Sequence, residues 1–247
     1  MRRNTRVVLL GVVVAASGCG PLAEIPALPQ AVTSSLSADD SGAVFVRALA
    51  PTLFLQPDEP FTLERVVAVV HPTRRVIAYH LLWRDDAHGA WLPFTRPTDA
   101  EIVWVGYDAT HAPVDVWTYW HGTILHTDWR GKGPVAIDVQ WGKHGSLPRA
   151  TQLTDLPWLK SLNTFYVLTW LGIPDLWLGN LSRTGPWCFC HGYGRYAAFT
   201  GAVPLGPRID LVIRAANPRH ALRAMFGSGY ANKTPWPPGI ESGEPKH

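Results

Sequence analysis

Between residues 53 and 141 the chain keeps returning to one pattern: short runs of β-branched and aromatic residues, each closed by a turn residue. The runs are Leu53–Leu55, Arg65–His71 (RVVAVVH, stopped by Pro72), Val76–Trp83 (VIAYHLLW), Glu101–Tyr107 (EIVWVGY), Val114–His121 (VDVWTYWH) and Pro134–Trp141 (PVAIDVQW). None is long enough for a typical helix, and their composition suits a pleated, half-buried surface. Side chains alternate across a strand, so Ile102, Trp104 and Gly106 face one way and Glu101, Val103, Val105 and Tyr107 the other. Strands at this spacing build a sandwich or a barrel.

The C-terminal half adds one or two helices. Asp155 can cap, Pro157 suits a first turn, and Trp158, Leu159, Leu162, Phe165, Tyr166 and Trp170 recur near helical spacing before Gly172 and Pro174. Ile209–Ala215 returns to strand, and Asn217-Pro218 opens a short helix running to about Met225. The last residues, from Asn232, are rich in Pro, Gly and charge and read as a loose tail over 232–247.

The N-terminus carries an address. Arg2, Arg3 and Arg6 precede an apolar run from Val7 to Ala16, too short to span a bilayer comfortably, and then Ala16-Ser17-Gly18-Cys19. Small residues before a cysteine resemble a bacterial lipoprotein signal, with residues 1–18 removed and Cys19 acylated; an ordinary secretory signal containing a cysteine is the alternative. Each buried methylene contributes about 0.8 kcal/mol, so several acyl chains hold a protein firmly on a membrane. The expected location is the bacterial cell envelope, on the non-cytoplasmic side of a membrane. Residues 19–42, Pro-, Ala- and Ser-rich, read as the lipid attachment and a flexible tether, and 43–231 as a single domain. The net charge of +3 comes from the three signal arginines. The chain beyond them is formally neutral, so a nucleic-acid partner has no electrostatic support.

Several pieces of the first half resemble a known family. They are Ala50-Pro51 with Leu53-Phe54-Leu55, then Glu59 and Phe61; Tyr79-His80-Leu81-Leu82-Trp83; Asp99-Ala100-Glu101; Pro113-Val114 followed by His121-Gly122; and Lys143 with His144-Gly145-Ser146-Leu147-Pro148. In this order, over about residues 48–148, they resemble proteins similar to vacuolar protein sorting-associated protein 62 and, more distantly, the necrosis-inducing proteins. The resemblance implies a jelly-roll-like antiparallel β-sandwich. It also implies a divalent cation, because in the necrosis-inducing proteins acidic and histidine side chains near an Asp-Trp-Glu element hold one. Here Ala100 replaces that tryptophan, and Pro97 and Thr98 stand in place of upstream ligands.

Asp99, Glu101, His121 and His144 are therefore the candidate site. Asp99 and Glu101 share one side of an extended strand, and carboxylates on one face repel unless a cation or a donor sits between them. Two readings are open. One is a metal site, for which carboxylate and imidazole ligands suit Zn, Mn or Fe and oxygen-rich ones Ca or Mg. The other is a buried polar network. Lys143 could stabilise an anion beside it. His80, in an apolar strand, reads first as a core histidine and second as a further participant; His126 reads as surface. Cys188 and Cys190 read first as a disulfide, next as free thiols, then as metal ligands with His191. The chain has no Gly-x-Ser-x-Gly elbow, phosphate loop or dinucleotide fingerprint. The expected function is that of a lipid-anchored envelope protein that binds a glycan, a lipid headgroup or an envelope partner, or is purely structural. The alternative is a metal-dependent hydrolase built on the same four residues.

Overall fold

A computed structural model describes residues 35–57, 59–84, 86–88, 94–96, 99–149, 151, 199–227, 230, 233 and 236–240. The strands are β1 (Thr52–Leu55), β2 (Leu63–Val70), β3 (Val76–Trp83), β4 (Asp86–His88), β5 (Phe94–Arg96), β6 (Asp99–Tyr107), β7 (Pro113–Trp120), β8 (Thr123–Asp128), β9 (Ala136–Val139), β10 (Ser146–Pro148), β11 (Gly201–Pro204) and β12 (Ile209–Arg214). The helices are α1 (Ser41–Leu49) and α2 (Arg219–Phe226). A six-stranded sheet runs β12-β2-β3-β6-β7-β8, a four-stranded sheet runs β10-β9-β1-β11, and β4 pairs with β5.

The protein is thus mainly β and sandwich-like, as expected. Val103 and Val105 of β6 join Leu53 of β1, Ile137 and Val139 of β9 and Val46 of α1 in the core between the sheets. Ile102 and Trp104 face the other way, against Leu222, Met225 and Phe226 of α2 with Tyr230 and Trp236 beyond it. The period-2 alternation of Glu101–Tyr107 is what separates these two cores. Most pairings are antiparallel, but β1 runs parallel to β9 and β12 parallel to β2.

Three expectations change. The tether ends sooner than its composition suggests: Leu36 N–H donates to Val212 O, and Asp40 caps α1 by accepting from Gly42 N at 2.7 Å. A polar Asp-Asp-Ser-Gly run suits a linker and an N-cap equally well, and here it is a cap. The strand expected over Pro134–Trp141 pairs only from Ala136 to Val139, because Gly142 and His144 take positive φ and turn the chain. The tail is not loose where it is described. Trp236 is buried and donates from Nε1 to Ala216 O at 2.6 Å, and Lys233 makes a buried ion pair. Composition registers Pro and Gly but is blind to one Trp and one Lys that find partners far away in sequence. The helix expected at 155–171, and Cys19, Cys188 and Cys190, lie outside the described residues.

Candidate functional site

His121 and Gly122 form the two-residue turn between β7 and β8, closed by the pair Trp120↔Thr123. Both have positive φ, 46° and 93°, as a type I′ hairpin turn requires. Gly122 adopts this region freely; histidine is among the few other residues enriched there. The turn sets the His121 ring against Gln140, whose Oε1 accepts from Nε2. Burial pushes the His121 pKa down to about 4 despite that bond, with Lys143 acting in the same direction as burial, so the ring is neutral at physiological pH.

Residues 140–145 join β9 to β10. His144 N–H donates to Gln140 O, and Gln140 N–H to Gly145 O. His144 itself has φ 55°, so it lies in a turn and not at the end of an extended strand. Gly145 supplies room: a Cβ there would stand 2.7 Å from His121 Nε2 and 2.8 Å from the Trp120 ring.

This turn places the imidazole of His144 at the centre of the site. It is fully buried and lies flat on Trp83, with centroids 4.2 Å apart and planes 4° apart. Nδ1 is 3.0 Å from Asp99 Oδ2, and Nε2 is 3.2 Å from Glu59 Oε1. A carboxylate only accepts, so both ring nitrogens donate and the ring is an imidazolium. Burial alone would lower its pKa, but the Glu59 and Asp99 carboxylates outweigh burial and hold it up at about 9. Glu59 is anchored in turn, its Oε1 accepting from Phe61 N at 3.2 Å and its Oε2 from Gly142 N at 2.8 Å. Burial would raise Asp99, yet the His144 hydrogen bond and the charges of Lys233, His144 and Lys143 bring it down to about 2.

Glu101 sits two residues along β6, opposite Leu81 as Asp99 is opposite Trp83. The β6–β7 ladder starts at Val103↔Thr118, so both carboxylates lie beyond its last pair. Lys233 reaches Glu101, Nζ to Oε1 at 2.9 Å, and lies 4.7 Å from the Tyr119 ring centroid. Burial nevertheless lifts the Glu101 carboxyl to about 8, against the pull of Lys233 and with the push of Asp99. Its Oε2 is buried with no hydrogen-bond partner.

Of the four candidate residues, Asp99 and His144 are joined directly. Glu101 adjoins them electrostatically and is held by Lys233, while His121 is bonded to Gln140 and flanks Gly145. His80 faces the other side of the sheet: its Nδ1 meets the Tyr230 hydroxyl, and burial drops its pKa to about 3. Sequence reasoning does not assign Glu59, Gln140, Trp83 or Lys233 to the site. Glu59 and Trp83 lie within the stretches that carry the resemblance. Lys233 offers no signal, standing in a Pro- and Gly-rich tail.

A second cluster is not foreshadowed by the sequence. Asp115, His126 and Asp128 each offer a ligand atom, all within 4.8 Å of one another, the one such group of three among the described residues.

No protein-family model and no curated protein matches the chain. Solved structures do. One described as NLPPya in complex with mannosamine is 13% identical, with a TM-score of 0.34, covering 49% of this chain and 73% of that one. NLPPya in complex with glucosamine gives the same values. A structure described as a toxin fold for microbial attack and plant defense is 13% identical with a TM-score of 0.35, covering 49% and 74%. A likeness of this size carries nothing about ligand or activity. Among the described residues no helix is long and apolar enough to cross a membrane.

Proposed function

We propose that the protein is a lipid-anchored component of the bacterial cell envelope, attached through Cys19, whose sandwich serves binding or architecture and not catalysis. The observation that carries the non-catalytic reading is the closure of the network around His144 and Glu59. A metal-dependent hydrolase needs an unprotonated ring nitrogen or open carboxylate oxygens facing a cleft. His144 has both nitrogens engaged by carboxylates and one ring face covered by Trp83, and Glu59 has both oxygens occupied. The cations that separate these carboxylates are the protein's own, His144 and Lys233. The ligand class we assign is a glycan. A cavity of about 470 Å³ beside β8 is lined by Trp129, Arg130, Asp128, Thr127 and Arg149, an aromatic ring among planar polar groups of the kind sugars use. Two measurements test the proposal. Cys19→Ala should move the protein from the membrane to the soluble fraction; an unchanged distribution, with no lipid on the N-terminal peptide by mass spectrometry, defeats the anchor. Titration with soluble envelope glycan fragments should quench tryptophan fluorescence, and Arg130→Ala should weaken the response; no response to any fragment defeats the glycan.

One observation favours the hydrolase as a second reading. Glu101 has a carboxyl held near 8 and an oxygen without a partner, the state of a general acid poised near neutral pH. Hydrolysis of ester or phosphoester test substrates that is abolished by Glu101→Gln would establish it.

A further inference from the structure

We propose that Asp115, His126 and Asp128 form a second, exposed site that takes a divalent cation, Zn²⁺ by preference, on the edge of the six-stranded sheet. It is separate from the buried network, and two of its residues, His126 and Asp128, also line the cavity assigned above to a glycan.

The first observation is the register. Asp115 on β7 is directly opposite Asp128 on the edge strand β8, and Trp117 is opposite His126. Like charges opposite one another weaken a strand pair, whereas a cation shared between them reverses the sign. Second, the third ligand is held in place: His126 Nε2 is 2.9 Å from Asp115 Oδ1, and its ring stacks on Trp117 at 4.8 Å and 25°. Third, the neighbouring strand leaves room. Gly106 on β6 is paired with Asp115, and a Cβ there would stand 2.9 Å from Asp115 Cβ and 3.3 Å from its Oδ2. Gly106 is the penultimate residue of β6, beside a register shift in the β6–β7 ladder, and its missing Cβ leaves clearance for this carboxylate and the Trp117 ring.

The chemistry selects the ion. With ligand atoms at most 4.8 Å apart, a common centre lies within about 2.8 Å of each, and modest side-chain rotation reaches the roughly 2.0–2.2 Å of zinc–imidazole and zinc–carboxylate bonds. One imidazole and two carboxylates suit Zn²⁺, which such ligands hold more tightly than Mn²⁺ or Fe²⁺. The ring would bind through the Nε2 lone pair as the neutral tautomer, with its single proton on Nδ1. Three protein ligands leave a fourth position for water or a partner's group. The competing contact, Arg130 to Asp128 at 3.4 Å, joins side chains 87% and 63% exposed and is easily displaced.

The test is calorimetric titration of the full chain with ZnCl₂. Wild type should bind Zn²⁺. His126→Ala should lose one bound ion, and Asp128→Asn should weaken that site at least about tenfold. Both positions are exposed, so folding should be retained, as circular dichroism checks, and His220→Ala should behave as wild type. Absence of Zn²⁺ binding by wild type overturns the proposal. So does binding that survives both substitutions with unchanged affinity and stoichiometry, because the ion then belongs to other residues.

Discussion

His144 has a backbone that few non-glycine residues adopt and a charged ring with no exposure to water. Both are tolerated because two carboxylates pair with the ring, and Glu59 is itself anchored by Phe61 N and Gly142 N. His144→Ala removes the shared cation and leaves Asp99 and Glu59 buried without it. Breaking a buried ion pair from one side costs about 3–5 kcal/mol, and the denaturant midpoint should fall accordingly. The pH dependence has a definite sign. His144 titrates at about 9 when folded against an ordinary 6.5, so the folded state retains a proton that the unfolded chain releases. Its contribution is complete below pH 6.5 and is lost as pH rises to about 9, with a slope of at most about 1.4 kcal/mol per pH unit. Glu101, raised from 4.5 to about 8, adds a loss of the same sign over its own window. Asp99 acts oppositely. Lowered from 3.8 to about 2, it stabilises above pH 3.8, and that contribution disappears as pH falls through 2. Urea titrations at pH 6.5 and 9.5 should therefore show a marked drop in stability that is reduced in the His144→Gln variant, the remaining drop belonging to Glu101. A third residue-scale outcome concerns Gly145, where a methyl would meet His121 and Trp120 at under 3 Å. Gly145→Ala should cost about 1–3 kcal/mol, the usual range for overpacking, measured the same way.

Among the elements, the long strands are legible in the sequence because their alternation is a direct consequence of two buried faces. Val76–Trp83 is legible to its ends, and Ile209–Arg214 and Arg219–Phe226 nearly so. Elements escape where local pattern carries little. The α1 run SGAVFVRAL has a β-branched and aromatic centre and becomes helical through its cap and its packing of Ala43, Val46 and Leu49. β8 follows a His-Gly turn that reads as a strand end and not as a hairpin. β10 is three residues long, and β11 is largely exposed. The site divides in the same way. Asp99 and His144 can be paired from ordered motifs, but the Lys233–Glu101 bond is a contact between distant segments that no window reveals. That bond makes its own prediction. Above about pH 8, where Glu101 ionises, Lys233→Met takes the charge partner from a buried carboxylate and should cost about 3–5 kcal/mol, while Lys233→Met with Glu101→Gln should recover most of it, because replacing both charges is often neutral. A double-mutant cycle in urea reads the coupling; additive losses would show that Lys233 and Glu101 stand independently.

Across the whole molecule, the network joins segments that the topology otherwise keeps apart. Glu59 precedes β2, Asp99 and Glu101 open β6, His144 lies between β9 and β10, and Lys233 comes after α2. The two sheets and the C-terminal segment are thereby tied at one charged point, beside a core of Trp83, Trp120 and Trp141. Deleting residues 232–247 removes both Lys233 and Trp236, so the truncated chain should unfold at markedly lower denaturant than the full one, not behave as a trimmed tail. The central claim is that this point is closed by protein charges, with His144 doubly protonated between Asp99 and Glu59. Nitrogen-15 NMR of the His144 ring measures this directly. Both ring nitrogens should carry protons at pH 7.5 and titrate together near 9. A neutral ring at pH 7.5, with one nitrogen unprotonated and open to a metal or a substrate proton, would contradict it.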